Sequence, residues 1–363
     1  MVTAARPQAG VPPVFALLDD CQATPEHPSS RLYTEFVHAL VCADPATLDS
    51  ACQALDSALQ SGLHAVLLID YEWGAHLLQV GAPSGALRVL FFRQCERLSA
   101  DAVEAWLCAH EGAAQPGVAG VADLQPSVSE EEFTRAIADI QSHLRNGASY
   151  QINYTYRLHG TQYGSVPGLY RRLRRTQPVP YGALIRLPAQ AHANSPEWVM
   201  SRSPELLIQN TSGQLLARPM KGTAERSSDP ATDQARARWL AQDPKNLAEN
   251  VMIVDLLRND LGRIANTGSV QVAQRFQVES YATVHQMTST VNATLRPEVR
   301  LPDLLRAVFP CGSITGAPKQ QSMRHIAALE STPRGLYCGA IGWLDAAPEG
   351  AALGNFCLSV AIR

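Results

Sequence analysis

Leu206-Leu207-Ile208-Gln209-Asn210-Thr211-Ser212-Gly213-Gln214-Leu215-Leu216-Ala217-Arg218 is the stretch that decides the fold class. Leu206 to Gln209 and Leu215 to Arg218 are short apolar runs. The four residues between them, Asn210-Thr211-Ser212-Gly213, have turn chemistry. The pattern predicts a β-hairpin and therefore antiparallel pairing. Outward from it, Trp198 to Arg202 predicts a further strand. Asp243-Pro244 predicts a helix start, with Asp as N-cap and Pro at the first helical position. Leu247, Val251, Val254, Leu257 and Leu261 then share one helical face. Pro302 to Phe309 predicts a short helix, stopped by Pro310, and Pro318 opens another that runs to about Leu329. Tyr337 to Leu344 and Leu353 to Ile362 predict two strands around a turn at 346–350. Strands and helices mix without regular alternation, which predicts α+β with antiparallel sheets rather than a doubly wound parallel sheet.

Upstream, Ser129 and Glu132 form a capping box, followed by Phe133, Ile137, Ile140 and Leu144 on one helical face. Tyr150, Ile152, Tyr154, Tyr156 and Leu158 then alternate with Gln151, Asn153, Thr155 and Arg157. That predicts a half-buried strand over 150–158 whose second face is polar but mostly uncharged. Such a face suits a small polar ligand, or hydrogen bonds to a neighbouring layer. Residues 1–120 read as one region, with a helix over Leu48 to Leu63, a buried strand over His64 to Tyr71 and another over Val89 to Phe92. The aperiodic Gly/Ala/Pro/Val stretch from Ala113 to Gln125 predicts a connector to a second region, 129–363.

The chain has 363 residues, 30 Lys and Arg against 33 Asp and Glu, and 46% hydrophobic residues. That balance argues against a nucleic-acid binder and against a disordered chain. No segment has the roughly 18 consecutive apolar residues of a membrane span. The start of the chain makes a poor secretory signal, and the eight cysteines include no C-x-x-C pair. These features predict a cytoplasmic protein with reduced thiols. There is no G-x-G-x-x-G or P-loop motif.

Candidate chemistry gathers near the hairpin. Pairing around its turn sets Glu205 opposite about Arg218 and brings Lys221 to the same open end. A carboxyl beside an amine can serve as acid and nucleophile if burial lowers the Lys pKa; the alternative is a surface salt bridge. Glu249 lies on a helix that is apolar nearly all round and needs a partner. The partner could be Mg²⁺, or a cation within the helix that also carries Asp255, Arg258 and Asp260. Gly312-Ser313-Ile314-Thr315-Gly316-Ala317-Pro318-Lys319 is a small-residue loop that could hold an anion ahead of a helix. His285 could be an acid/base or a satisfied core residue. Together these groups predict chemistry on a small anionic substrate.

The ordered strings Ser203-Pro204-Glu205, Pro219-Met220-Lys221-Gly222-Thr223, the 248–262 segment (Ala-Glu-Asn-Val-Met-Ile-Val-Asp-Leu-Leu-Arg-Asn-Asp-Leu-Gly), Val284-His285 and the 312–319 loop closely resemble the chorismate-utilising enzymes. These are anthranilate synthase component I, aminodeoxychorismate synthase component I, and the isochorismate and salicylate synthases. The resemblance is strong over 129–363 and loose over 1–120. It implies an anthranilate synthase component I-like fold, with antiparallel sheets packed with helices around a central chorismate cleft. Residues 1–120 would be its variable N-terminal region and 129–363 its catalytic region. Lys221 stands where anthranilate synthases carry Ala, and Gln151 where the water-adding members carry their base lysine. Both resemble the aminodeoxychorismate synthase component I branch.

The resemblance implies a transferase that converts chorismate and ammonia, supplied by a glutamine amidotransferase subunit, to 4-amino-4-deoxychorismate in 4-aminobenzoate and folate biosynthesis. Lys221 would be the nucleophile, Glu205 the acid and His285 an aid at the leaving hydroxyl. Glu249 would hold Mg²⁺. Gly222, Thr223, Ser313, Thr315 and Gly316 would contact the substrate near the metal, while Tyr337 and Arg363 would hold its other carboxylate. Leu17-Leu18-Asp19-Asp20 departs from the Leu-Leu-Glu-Ser-like segment with which regulatory members bind tryptophan, so that property is not expected. Cys311 replaces a usual Gly. The family continues beyond the Ile-Arg of 362–363 with a strand, a Gly-Ala-Gly loop and a helix bearing a second metal carboxylate. Two alternatives follow: anthranilate synthase component I, and a chain shortened to an inactive chorismate- or partner-binding module.

Overall fold

A run such as Ala65-Val66-Leu67-Leu68-Ile69, apolar at every position, is stable as a strand only if both of its faces are covered. Both are. Ala65, Leu67 and Ile69 enter one core and Val66 and Leu68 another. The fold is seen in a computed structural model that describes residues 13–189 and 197–362.

The first region forms β1 (Phe15–Asp19), β2 (Ser30–Cys42), α1 (Leu48–Gln60), β3 (His64–Ile69), α2 (Tyr71–Leu77), β4 (Leu87–Leu98) and α3 (Ala100–Glu111). The middle of the chain forms β5 (Gly120–Pro126), α4 (Glu130–Arg145), β6 (Gln151–Ile152), β7 (Leu158–Tyr163), α5 (Val166–Thr176), β8 (Tyr181–Arg186), β9 (Trp198–Ser203), β10 (Leu206–Thr211), β11 (Gln214–Arg218) and β12 (Met220–Glu225). The rest forms α6 (Pro230–Gln242), α7 (Pro244–Gly262), β13 (Gln271–Ser280), β14 (Val284–Thr294), α8 (Leu301–Val308), β15 (Gly316–Ala317), α9 (Lys319–Leu329), β16 (Ala340–Leu344) and β17 (Phe356–Val360).

Thirteen strands join one sheet in the order β12-β14-β11-β10-β17-β16-β3-β4-β2-β1-β8-β9, with β13 also paired to β14. The late strands β16 and β17 are inserted between β10 and β3, so the first region and the last described strands share one hydrogen-bonded layer. Beyond β9 the sheet curls back, and the Arg202 amide donates to the Ile362 carbonyl at 3.0 Å. One face packs on α1, α7 and α8 through Leu48, Leu55, Val254, Leu257, Leu261, Leu304 and Leu305. The curled face closes on itself through Tyr33, Val66, Phe92, Ile185 and Ile341. The chain is α+β with antiparallel pairing, as the hairpin predicts. Among the described residues no helix is long and apolar enough to cross a membrane. The eight cysteines are free.

The hairpin closes on Ser212-Gly213, whose φ values of 50° and 82° match the strand twist. Asp243 caps α7 by accepting from the Asn246 amide, and the Ser129–Glu132 capping box forms on α4.

Four expectations need correction. The strand over 150–158 breaks into β6 and β7, because residues 153–157 bond to loops instead of to one partner strand: the Asn153 amide donates to Thr315 O and that of Thr155 to Glu330. The connector over 113–125 holds β5, which pairs with β7. Both of those strands are exposed along nearly their whole length, so no burial imposed an alternation that the sequence could show. The strand of 64–71 ends at Ile69, and Tyr71 already opens α2. On α7, Val251 is 43% exposed. The inward face is turned to include Asn250, which accepts from the Ser289 hydroxyl at 2.6 Å, and Asp260, which pairs with Lys319.

Gly342 sits in the middle of β16, where an added Cβ would lie 1.9 Å from the Cys357 carbonyl oxygen. Nothing lies within 4 Å of a Cβ at Gly262, the last residue of α7. Gly342→Ala is expected to destabilise the fold by about 2–3 kcal/mol. Gly262→Ala is expected to leave the unfolding midpoint within about 0.5 kcal/mol of wild type. Urea denaturation of the two variants checks the pair.

Candidate active site

Lys221 is aimed by an irregularity. Met220 pairs with Thr288 on β14, but Thr223 pairs with Gln286, so three steps on β12 oppose two on its partner. This is a β-bulge, which re-aims a side chain out of the regular pleat. Gly222 at the bulge has φ +100°, and a Cβ there would press on Asn246 and Leu240 at 3.2 Å. A glycine is therefore required beside the lysine. Lys221 Nζ reaches Asn153 just past β6 and donates to its Oδ1 at 3.1 Å.

Glu205 occupies the break between β9 and β10, and only 6% of it is exposed. Its amide donates to Ser203 Oγ at 3.2 Å, which fixes the turn. Its carboxyl group bonds the Ser313 hydroxyl and accepts from the Met220 amide at 3.5 Å. Burial pushes it up to about 7, against the opposing pull of Ser313, Lys221 and the Met220 amide. Burial likewise lowers Lys221, although the charges of Glu205 and Glu249 and the thiols of Cys311 and Cys338 act to raise it. Burial thus acts on both groups toward the uncharged form, raising the acid and lowering the amine.

Ser313, Thr315 and Gly316 are present at this pocket, but their loop differs from the expected cradle. Gly316–Ala317 pairs with Gln151–Ile152 as β15 instead of leading straight into α9. Gly316 permits this, since a Cβ there would lie 2.1 Å from the Gln151 carbonyl oxygen. The Thr315 hydroxyl donates to the carbonyls of Cys311 and Gly312, so it ties the loop to itself. The carbonyls of Ser313 and Thr315 both face Asn153.

The His285 side chain is buried, with Nδ1 2.9 Å from Ser280 Oγ and Nε2 3.0 Å from Asp233 Oδ1. Asp233 is in turn held by Arg226 and the Ser227 amide. Both ring nitrogens therefore have protein partners, in a hydrogen-bonded cluster that shares no member with the Lys221–Glu205–Ser313–Asn153 set. Thr223 is exposed, and its hydroxyl lies 3.2 Å from the Gln286 side chain.

Tyr337 lines a cleft of about 510 Å³ together with Thr155 and Arg334, and burial pushes its phenol up to about 12. Its neighbour Cys338 is one of the groups acting on Lys221. Arg363 lies outside the described residues. A second cavity of about 340 Å³, between Asp20 and Trp343, contains none of these groups.

Glu249 is half-exposed on α7, with Lys245 Nζ 3.8 Å away, and its charge reaches Lys221. Among the described residues no three His, Cys, Asp or Glu side chains converge on a metal cage. A single carboxylate fits an Mg²⁺ ion completed by substrate oxygens and water, the usual manner of binding for that ion.

The residue that motif reading missed is Asn153. Its signal was present, on the uncharged polar face of the 150–158 alternation. Glu330 and Arg334, which brace it from behind, carried no signal in sequence because their pairing is tertiary.

The profile of the chorismate binding enzyme family matches residues 45–363. The chain is 43% identical over 237 residues to the aminodeoxychorismate synthase component 1 of Klebsiella aerogenes, covering 65% of this chain and 50% of that protein. It is 38% identical over 263 residues to the protein of the same name from Escherichia coli, covering 72% of this chain and 55% of that protein. The chain thus spans about half the length of the curated relatives it matches. In fold it resembles a putative 2,3-dihydroxybenzoate-specific isochorismate synthase from Bacillus anthracis, with TM-score 0.75 and 19% identity over 96% of this chain and 85% of the other. It also resembles the anthranilate synthase component I of Streptococcus pneumoniae, with TM-score 0.67 and 24% identity over 100% of this chain and 85% of the other. With the profile matched over most of its length, the chain belongs to the chorismate binding enzyme family.

Proposed function

We propose that the chain is the chorismate-converting component of an aminodeoxychorismate synthase, exchanging the C4 hydroxyl of chorismate for an amino group. The observation that carries the reading is the shared pocket of Lys221 and Glu205, where burial favours the neutral amine and the protonated acid. A nucleophile and an acid are the two groups that a two-step displacement requires. The names of the relatives point the same way.

The Lys221 amine adds to C2 of chorismate and the ring double bonds shift. The C4–O bond breaks, and the hydroxyl takes the Glu205 proton and leaves as water. Ammonia then adds at C4, the double bonds return, and the C2–N bond to Lys221 breaks. Each step is easier than a direct displacement at C4. Glu249 would hold Mg²⁺, which supplies positive charge to a substrate carboxylate when bound. Gly222, Thr223 and the loop of Ser313, Thr315 and Gly316 would border that end of the substrate. Tyr337 and Arg363 would receive the other carboxylate, the guanidinium by a paired hydrogen bond. His285, with both nitrogens bonded, braces β14 against α6 in this reading and moves no proton. Ammonia would come from a glutamine amidotransferase subunit in the cytoplasm, a setting in keeping with eight free thiols.

With chorismate, ammonium and Mg²⁺, followed by an aminodeoxychorismate lyase, the chain is expected to yield 4-aminobenzoate. Lys221→Ala should abolish this, and Glu205→Gln should lower turnover by roughly 10²–10⁴-fold. Anthranilate formed without the lyase would establish the anthranilate synthase reading instead. Chorismate binding with no turnover at any ammonium concentration would leave only a binding chain.

The buried acid also makes a stability prediction. The carboxyl of Glu205 is raised from 4.5 to about 7 in the fold. A raised carboxyl stabilises the native state fully below its unfolded pKa and loses that contribution as pH climbs through the folded value. A glutamine side chain in its place carries no such proton. The stability of Glu205→Gln relative to wild type should therefore increase between pH 4.5 and 7, by on the order of 3 kcal/mol, and level off above. Urea denaturation across that range checks the sign.

A further inference from the structure

Asn153 is held at four atoms. Its amide donates to Thr315 O at 3.0 Å, and its carbonyl accepts from the Arg334 guanidinium at 2.6 Å. Its side-chain Nδ2 donates to Ser313 O at 2.9 Å, and its Oδ1 accepts from Lys221 Nζ at 3.1 Å. The orientation of the amide is not arbitrary. Ser313 O is a carbonyl and can only accept, so Nδ2 must face it and Oδ1 is left for the lysine. Arg334 is itself fixed, 4% exposed, bonded to Glu330 and lying over the ring of Tyr71. The chain of contacts Glu330–Arg334–Asn153–Lys221 runs from the end of α9 to the amine.

We propose that Asn153 is the positioning residue of Lys221. Its Oδ1 takes one N–H of the amine and so fixes where the nitrogen lone pair points, and as an uncharged acceptor it does not favour the ammonium form as a carboxylate would. The inference rests on the reading of Lys221 as a nucleophile. Other groups facing the amine are Glu205 before β10, Glu249 on α7, Cys311 before the loop and Cys338 before β16. A carboxylate added at position 153 would push the amine toward the ammonium form.

The test uses the whole chain as wild type, Asn153→Asp and Asn153→Ala. Trace acetylation of Lys221, followed across pH by mass spectrometry of its peptide, reads the amine without any need for turnover. Asn153→Asp is nearly isosteric and should shift the midpoint of Lys221 reactivity upward by about one pH unit or more. Asn153→Ala should lower kcat roughly 10–100-fold and leave KM within about threefold, because a misplaced nucleophile costs rate more than binding. An unchanged labelling midpoint in Asn153→Asp, or an unchanged kcat in Asn153→Ala, overturns the proposal. If Asn153→Asp fails to fold, the kcat and KM of Asn153→Ala decide alone. A shifted midpoint in a chain that never turns over chorismate upholds the role of Asn153 and removes the proposed function. Turnover with an unmoved midpoint does the reverse.

Discussion

Burial of the ionisable side chains of Lys221 and Glu205 is the constraint on which the rest of the structure depends. Removing a charge from water costs more than most single contacts return, so a buried ionisable group settles into its neutral form unless it is well paired. The same cause acts with opposite sign on the two groups: it lowers the amine and raises the acid. One cause therefore moves both groups toward their uncharged forms. Their neighbours are chosen accordingly. Asn153 and Ser313 bond to them without bringing charge, and the Cys311 thiol, pushed up to about 12 by its own burial, stays neutral too.

A dry pocket has to be assembled from distant pieces of chain, and the sheet order shows how this is done. Glu205 comes from the break before β10 and Lys221 from the bulge of β12, on opposite sides of β11 in sequence. The lid over them, residues 311–317, comes from nearly a hundred residues later and is clamped to β6 by the close approach of Gly316 to Gln151. Behind the lid, Glu72 of α2 accepts from the amides of Arg334 and Gly335. The first region therefore braces the wall of the site as well as supplying the centre of the sheet. This explains why a region with so few recognisable motifs is folded into the same layer as the chemistry.

What was legible in the sequence follows from what is local. The 206–218 hairpin, the Asp243 cap and the Ser129 capping box depend on a few adjacent residues, and each formed as read. Lys221, Glu205 and Glu249 stood out in the sequence because charged side chains beside apolar or turn-forming neighbours call for a partner, and what the structure adds is the burial of the first two. The strand over 150–158 was misread because its alternation was real but its partners were two different loops, and no local pattern distinguishes a strand from an extended segment bonded to loops. Val251 was misplaced for a related reason. The helix face is set by two buried polar residues, Asn250 and Asp260, whose partners lie 39 and 59 residues away in sequence. For His285 the sequence left an acid/base and a satisfied core residue both open, because Asp233 and Ser280 could not be placed beside it before the strands were paired.

The electrostatic balance at Lys221 is one-sided in a way that ties chemistry to packing. Every ionisable neighbour of the amine pushes toward the ammonium form, and only desolvation pushes the other way. Coulombic attraction weakens as water enters, but the cost of carrying the charge falls further, so hydration moves the amine back toward its ordinary pKa. Any change that loosens the lid therefore acts on the amine even when it touches neither Lys221 nor its partners. Gly316 lets two backbone segments meet, and Thr315 and Arg334 bond through their side chains to backbone carbonyls, all at some remove from the amine. In this fold the residues that exclude water and the residues that would react are one system, and the close-packed glycines belong to it as fully as the lysine does.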